Sequence, residues 1–201
     1  MRFFTSTIAR PTLLGVISVL GALILELLAT LLLDDNQKIN SLPYPSYNTL
    51  GLFSLIAFSF IEELLKFFFI FQNFIPKKRF FIFEALIFGL GFSSLEIFFR
   101  LMDKNINLGE KDMALSIAAV VALHILTAVF IVLSLTNNHI SFWRKINTII
   151  FATALHVFFN WIIQADLGLS AVYSFLSFLI LILAGKFFLG VRRSSSNLAN
   201  L

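Results

Sequence analysis

The chain reads as an all-α membrane protein, a bundle of about six transmembrane helices forming one integral membrane domain over residues 1–201. Three observations predict that fold class. Hydrophobic residues make up 59% of the 201 residues and charged residues 13%, with a mean hydropathy of +0.93, outside the range of a water-soluble domain. Six apolar runs each reach the roughly 20 residues that a spanning helix needs. Lysines and arginines gather in alternate connections between those runs, the pattern of a polytopic membrane protein.

Each run has its own boundaries. The first, 11–33, follows Arg2 and Arg10, which imitate the basic start of a signal peptide; the run is too long and lacks a small-residue cleavage pattern before Asp34, so it is read as a helix. A turn-rich loop with Ser41, Pro43, Pro45 and Ser46 precedes the second, 49–74, and Ile75-Pro76 ends it. The third is 80–101. The fourth, 113–136, closes at Asn137-Asn138, and the fifth and sixth are 145–164 and 168–191. The polar stretch 194–201 is expected to fray. The 26 phenylalanines read as lipid-facing and interhelical packing.

Charge placement sets orientation and excludes partners. Arg2 and Arg10, then Lys77, Lys78 and Arg79, then Arg144 and Lys145, then Arg192 and Arg193 fall on one side, while the intervening loops are mixed or acidic. Both termini are therefore expected in the cytoplasm. The net charge of +4 lies in short loops, so it reads as topology rather than nucleic-acid binding, and the lipid bilayer is the expected medium. The chain has no cysteine, which excludes disulfides, thiol nucleophiles and thiolate metal sites.

Against that apolar background the ionisable residues stand out. Glu62, Glu63 and Lys66 interrupt the second run, Glu96 the third, His124 the fourth, and His156 with Asn160 the fifth. Charge at that depth costs at least a few kcal/mol and marks ion paths, relays or catalysis. Counting about 1.5 Å per residue puts Glu62 roughly 18 Å below the outer end of its run and His124 at similar depth. His156 and Glu96 fall near the middle or in the outer half, so the four can meet. His156 and Asn160 are four apart and share a helix face, as do Gly89, Ser93 and Glu96, a small-residue stripe ending in a carboxylate.

Plainer roles exist for each. Glu62 or Glu63 can form an intrahelical ion pair with Lys66, although one lysine cannot neutralise two buried carboxylates. A single membrane histidine can be a hydrogen-bonded packing residue. Glu26 has no partner at useful spacing and reads as structural; Glu84 falls near the interface and His139 in a loop.

The set lacks G-x-S-x-G and any thiol, so covalent hydrolysis has little support. Two chemistries stay open. A buried glutamate can activate water with a histidine sharing the proton and Asn160 donating to an oxyanion. Alternatively, two histidines and a glutamate can hold zinc with another glutamate as base, although the H-E-x-x-H spacing is missing.

Four segments resemble one family. Glu62-Glu63-Leu64-Leu65-Lys66 is similar to the E-E-x-x-K motif of the PrsW intramembrane proteases, and Gly89-Leu90-Gly91-Phe92-Ser93-Ser94-Leu95-Glu96 to their G-x-G-F-x-x-x-E segment. His124-Ile125-Leu126-Thr127 and His156-Val157-Phe158-Phe159-Asn160 match the remaining two motifs, in order. PrsW is in turn similar to CAAX prenyl endopeptidases and bacterial immunity-related membrane proteases, whose first motif is E-E-x-x-x-R; here Phe67 holds the arginine position and Glu96 stands where they have histidine.

The resemblance implies hydrolysis of a peptide bond in a membrane-anchored protein or peptide, in a bacterial cytoplasmic membrane. Glu62 would activate water, Glu63 and Glu96 assist, and His124, His156 and Asn160 bind the substrate carbonyl or its transition state. It implies no established cofactor, with zinc as an option. Two other classes compete: a proton-coupled transporter, since Glu and His chains also form relays, and a non-catalytic membrane scaffold. The absence of an internal repeat disfavours a transporter.

Overall fold

The computed structural model describes residues 2–33, 52–73, 81–102, 110–135, 141–165 and 168–198. They form six helices and no strand among the described residues: α1 (Arg2–Leu33), α2 (Leu52–Asn73), α3 (Phe81–Met102), α4 (Glu110–Leu135), α5 (Phe142–Gln164) and α6 (Gly168–Leu198). The fold class is therefore the expected one. The loop features at Pro43, Pro45, Pro76, the basic cluster Lys77, Lys78 and Arg79, Asn137-Asn138 and His139 lie outside the described residues.

Four stretches, Ile8–Leu31, Ile82–Phe99, Met113–Leu135 and Phe142–Ile163, are long and apolar enough to cross a membrane. This is an integral membrane protein by that measure. α2 has the length, 22 residues or about 33 Å, but carries Glu62, Glu63 and Lys66. The apolar part of α6, Ser170–Gly185, is shorter than the other four.

Several helix ends differ from expectation for local reasons. α1 starts at Arg2 and passes through Pro11, rather than starting there. A membrane helix tolerates the lost N–H where neighbouring helices support it, and Pro11 is buried where α1 packs on α3 and α2. α5 starts at Phe142 because Ser141 caps it, its side chain accepting from Arg144 N at 3.3 Å. α6 runs on to Leu198, so the tail expected to fray is largely helical; neither Pro nor Gly follows Gly190 to stop it.

Packing centres on α4, which touches α2, α3, α5 and α6, while α1 lies outside against α3 and α2. The spans reflect this: 56% of Met113–Leu135 is buried but only 22% of Ile8–Leu31. Glycines set the closest approaches. A Cβ at Gly15 would stand 2.3 Å from Phe88 O, one at Gly91 2.4 Å from Thr12 O, and one at Gly89 2.7 Å from Ile125 Cα. Backbones therefore meet directly across α1–α3 and α3–α4, the small-residue packing that membrane helices use in place of a hydrophobic drive.

Two apolar clusters fill the interior. One joins Phe67, Ile70, Phe88, Ile131, Leu135 and Ala152 among others; the second joins Val120, Leu123, Leu155, Phe159, Phe175 and Leu179. His124 and Thr127 fall between the α4 members of the two clusters, and His156 lies on α5 just past Ala152 of the first and Leu155 of the second. The polar residues thus form one layer with apolar packing on either side.

The glycine contacts give a direct test. Gly91→Ala, which forces backbone apart, is expected to destabilise by about 1–3 kcal/mol and lower the melting temperature in detergent. Gly185→Ala, where a Cβ meets nothing within 4 Å, should leave it nearly unchanged. Equal melting temperatures for both variants would contradict the packing.

Candidate active site

The polar layer is built from α2 outward. Glu63 and Lys66 are three apart on one helical face and that face is turned fully inward: Lys66 Nζ lies 2.6 Å from Glu63 Oε1, with both side chains completely buried. An ammonium has three hydrogens and no lone pair. Lys66 directs them to Glu63 Oε1, to His124 Nδ1 at 2.7 Å and to Thr127 Oγ1 at 3.4 Å. Phe92 adds its ring face, 4.3 Å from Nζ, a cation–π contact that gains strength away from water.

These bonds dictate where the histidine protons sit. A ring nitrogen that accepts from an ammonium must keep its lone pair, so His124 is neutral with its one hydrogen on Nε2. That hydrogen goes to Glu96 Oε2. His156 has the opposite arrangement. Its Nδ1 lies 2.8 Å from Glu63 Oε1, a carboxylate oxygen that already accepts from Lys66, so Nδ1 is the donor. His156 Nε2 lies 3.9 Å from Glu62 Oε2, and in the neutral ring with its hydrogen on Nδ1 that nitrogen keeps its lone pair. The two rings meet edge to face with centroids 5.4 Å apart.

The carboxylates divide by access. Glu63 is sealed, whereas Glu62 keeps 17% and Glu96 28% of their side-chain surface open. Glu62 Oε2 and Glu63 Oε2 are buried and lack a hydrogen-bond partner. A polar separation beyond about 3.5 Å is one a water can bridge, and the gap between Glu62 Oε2 and His156 Nε2 is of that kind.

Five of the six residues singled out from sequence, Glu62, Glu63, Glu96, His124 and His156, come together. Asn160 stands at the edge, its Nδ2 donating to Ser59 Oγ at 3.3 Å, one turn along α2 from Glu63. The lysine pairs with Glu63 and leaves Glu62 without an ammonium. Lys66 itself, Thr127, Ser59 and Phe92 belong to the layer but were not among those six. Glu26, read as structural for want of a partner at useful spacing in its own helix, is brought near Glu62 and Glu96 by the packing of α1 against α2 and α3. Its Oε1 is buried and has no hydrogen-bond partner.

A metal set can be drawn from Glu62, His124 and His156, whose ligand atoms lie within 4.8 Å of one another. His124 does not fit it. With Nδ1 accepting from Lys66 and the hydrogen on Nε2, the ring has no lone pair to give a cation, and the Lys66 charge repels one. The arrangement suits proton transfer better than metal binding.

No family model, curated protein or solved structure matches the chain. The site therefore rests on its own chemistry. Removing Lys66 leaves Glu63 as an uncompensated buried charge, so Lys66→Met is expected to cost about 3–5 kcal/mol. Adding Glu63→Gln should recover a large part of that loss, because the two groups interact directly. Unfolding of the two single variants and the double variant in detergent measures the coupling; additive losses would mean that the pair does not hold the layer.

Proposed function

We propose that the protein is an intramembrane peptidase related to the PrsW family, which hydrolyses a peptide bond of a membrane-anchored protein or peptide with water activated by Glu62. The observation that carries this reading is the unpartnered Glu62 Oε2 facing the bare Nε2 of His156 across 3.9 Å. Its neighbours are already committed: Glu63 to Lys66 and His156, His124 to Lys66 and Glu96.

In the proposed reaction a water between Glu62 and His156 loses a proton to Glu62 as its oxygen bonds to the scissile carbonyl carbon. The carbonyl oxygen becomes an oxyanion, for which the second N–H of Asn160 is a donor. Collapse breaks the C–N bond, and the leaving amine takes the proton from Glu62, giving a carboxylic acid and an amine. Glu96 orients His124, and Glu63 orients His156. In this proposal both termini are cytoplasmic, a reading supported by the charge pattern of the loops, and the membrane is a bacterial cytoplasmic one.

One observation favours a second reading. Glu96, His124, Lys66, Glu63 and His156 form a continuous hydrogen-bonded chain across α3, α4, α2 and α5, and such chains also serve proton relays in transporters. Asn160 separates the two, since an asparagine cannot titrate.

Glu62→Gln keeps the shape but removes the base, and cleavage of a single-span reporter in proteoliposomes should fall at least about a hundredfold. His156→Ala and Asn160→Ala should each impair cleavage, with the double variant losing much less than the sum, as residues serving one transition state do. Near-normal turnover in Glu62→Gln overturns the assignment of the base. Loss of proton-coupled flux on Glu62→Gln, with Asn160→Ala unaffected and no cleavage by the parent, would favour the relay.

A further inference from the structure

One carboxylate outside the four motif segments reaches the polar layer. α1 buries Pro11, Gly15, Ser18 and Ala22, spaced by three and four residues along one helix face, and Glu26 is the next position on that face. The face meets α2 in antiparallel register: Arg10 donates to Asn73 Oδ1 at 2.9 Å, and a Cβ at Gly21 would stand 3.4 Å from Leu65 Cδ1. Continuing that register by about 7.5 Å of helix rise brings Glu26 level with the stretch of α2 that carries Ser59 and Glu62. Glu26 lies within electrostatic reach of Glu62 and of Glu96.

The groups around Glu26 come from the helices packed on α1. α2 supplies Glu62, with Glu63 and Lys66 joined to each other on its inner face. α3 supplies Glu96, which binds His124, and carries Arg100 one helical turn further along. His156 lies beyond Glu62, at 3.9 Å. The Lys66 ammonium is taken up by Glu63, His124 and Thr127. Glu26 Oε1 and Glu62 Oε2 are both buried, and both lack a hydrogen-bond partner. An ionised carboxylate can only accept, so two of them could not satisfy each other, and at close range in a low dielectric they repel. One proton removes both difficulties: the carboxyl that holds it becomes a donor, and the pair carries a single charge.

We infer that Glu26 is a positioning residue of the site, sharing one proton with Glu62 so that Glu26 holds the hydrogen in the resting protein and Glu62 is the ionised partner. That hydrogen is donated toward Glu62, directly or through a water, and stabilises the charge a base must carry. When Glu62 takes a proton from the attacking water the pair becomes neutral, and it regains its single charge when that proton passes to the leaving amine. Glu26 acts through Glu62 rather than on the scissile bond. Its catalytic consequence rests on the peptidase reading, while the shared proton can be measured without turnover.

Infrared titration of the full-length protein in phosphatidylcholine bilayers, followed through the C=O stretch of protonated carboxyl groups, reads that proton. In the parent a carboxyl band should persist through neutral pH. Glu26→Gln should remove it, and Glu62→Gln should lower its midpoint by at least about one pH unit, because a proton held against a like charge is released once that charge is gone. Cleavage of a single-span reporter supplies the second readout. Glu26→Leu, which has no donor, should move the acid limb of the rate profile at least about one pH unit higher, since the ionised Glu62 loses its hydrogen bond; Glu26→Gln, an isosteric donor, should leave that limb in place. A midpoint that Glu62→Gln does not move, or one acid limb common to both Glu26 variants, overturns the inference and makes Glu26 a solitary buried acid. A coupled titration in a parent that cleaves nothing preserves the shared proton and removes the peptidase reading. Cleavage that depends on Glu62, beside a midpoint that does not, has the reverse meaning.

Discussion

One buried ammonium organises this protein. Lys66 has no exposed surface and lies in a helix whose other residues are mostly apolar, where an unpaired charge costs several kcal/mol. The cost is offset only if every hydrogen finds an acceptor, and those acceptors come from two helices: Glu63 on α2 itself, with His124 and Thr127 on α4. Phe92 of α3 closes the remaining side. Three helices are thereby held in register around one atom. The same bonds determine the protonation of the site, because a lysine can only donate: His124 must turn its hydrogen toward Glu96, and Glu63 can anchor His156 while Glu62 stays free.

Packing keeps that arrangement from relaxing. The close α1–α3 and α3–α4 approaches at Gly15, Gly91 and Gly89 carry Glu96 to His124 and bring Glu26 toward the same layer. Apolar clusters on either side exclude competing polar partners, so each bond within the layer acts in a low-dielectric setting. Structure and chemistry are coupled here: the pair that holds α2 in place also leaves Glu62 Oε2 without a hydrogen-bond partner beside the His156 ring.

The fold and much of the site were legible in the sequence, for one physical reason. Charge inside an apolar run is too costly to be incidental, so Glu62, Glu63, Glu96, His124 and His156 announced themselves, and helical periodicity gave their faces. What stayed hidden depends on contacts between distant segments. Glu26 has no partner within its own helix, and only the docking of α1 on α2 and α3 supplies its neighbours. Thr127 and Ser59 resemble the many hydroxyls that membrane helices satisfy locally. Lys66 was visible as a charge, but its hold on His124, 58 residues away, was not. The start of α1 was misjudged because proline reads as a boundary, whereas the burial of Pro11 lets the helix run through it.

If Lys66 and Glu63 organise the site, they fix the two histidines in opposite tautomers and leave His156 Nε2 bare beside Glu62. Nitrogen-15 NMR of the imidazoles in bilayers, assigned with His124→Gln and His156→Gln, measures this directly. The expected result is a neutral His124 protonated at Nε2 and a neutral His156 protonated at Nδ1. A His156 carrying its proton on Nε2, or a His124 protonated on Nδ1, would contradict it.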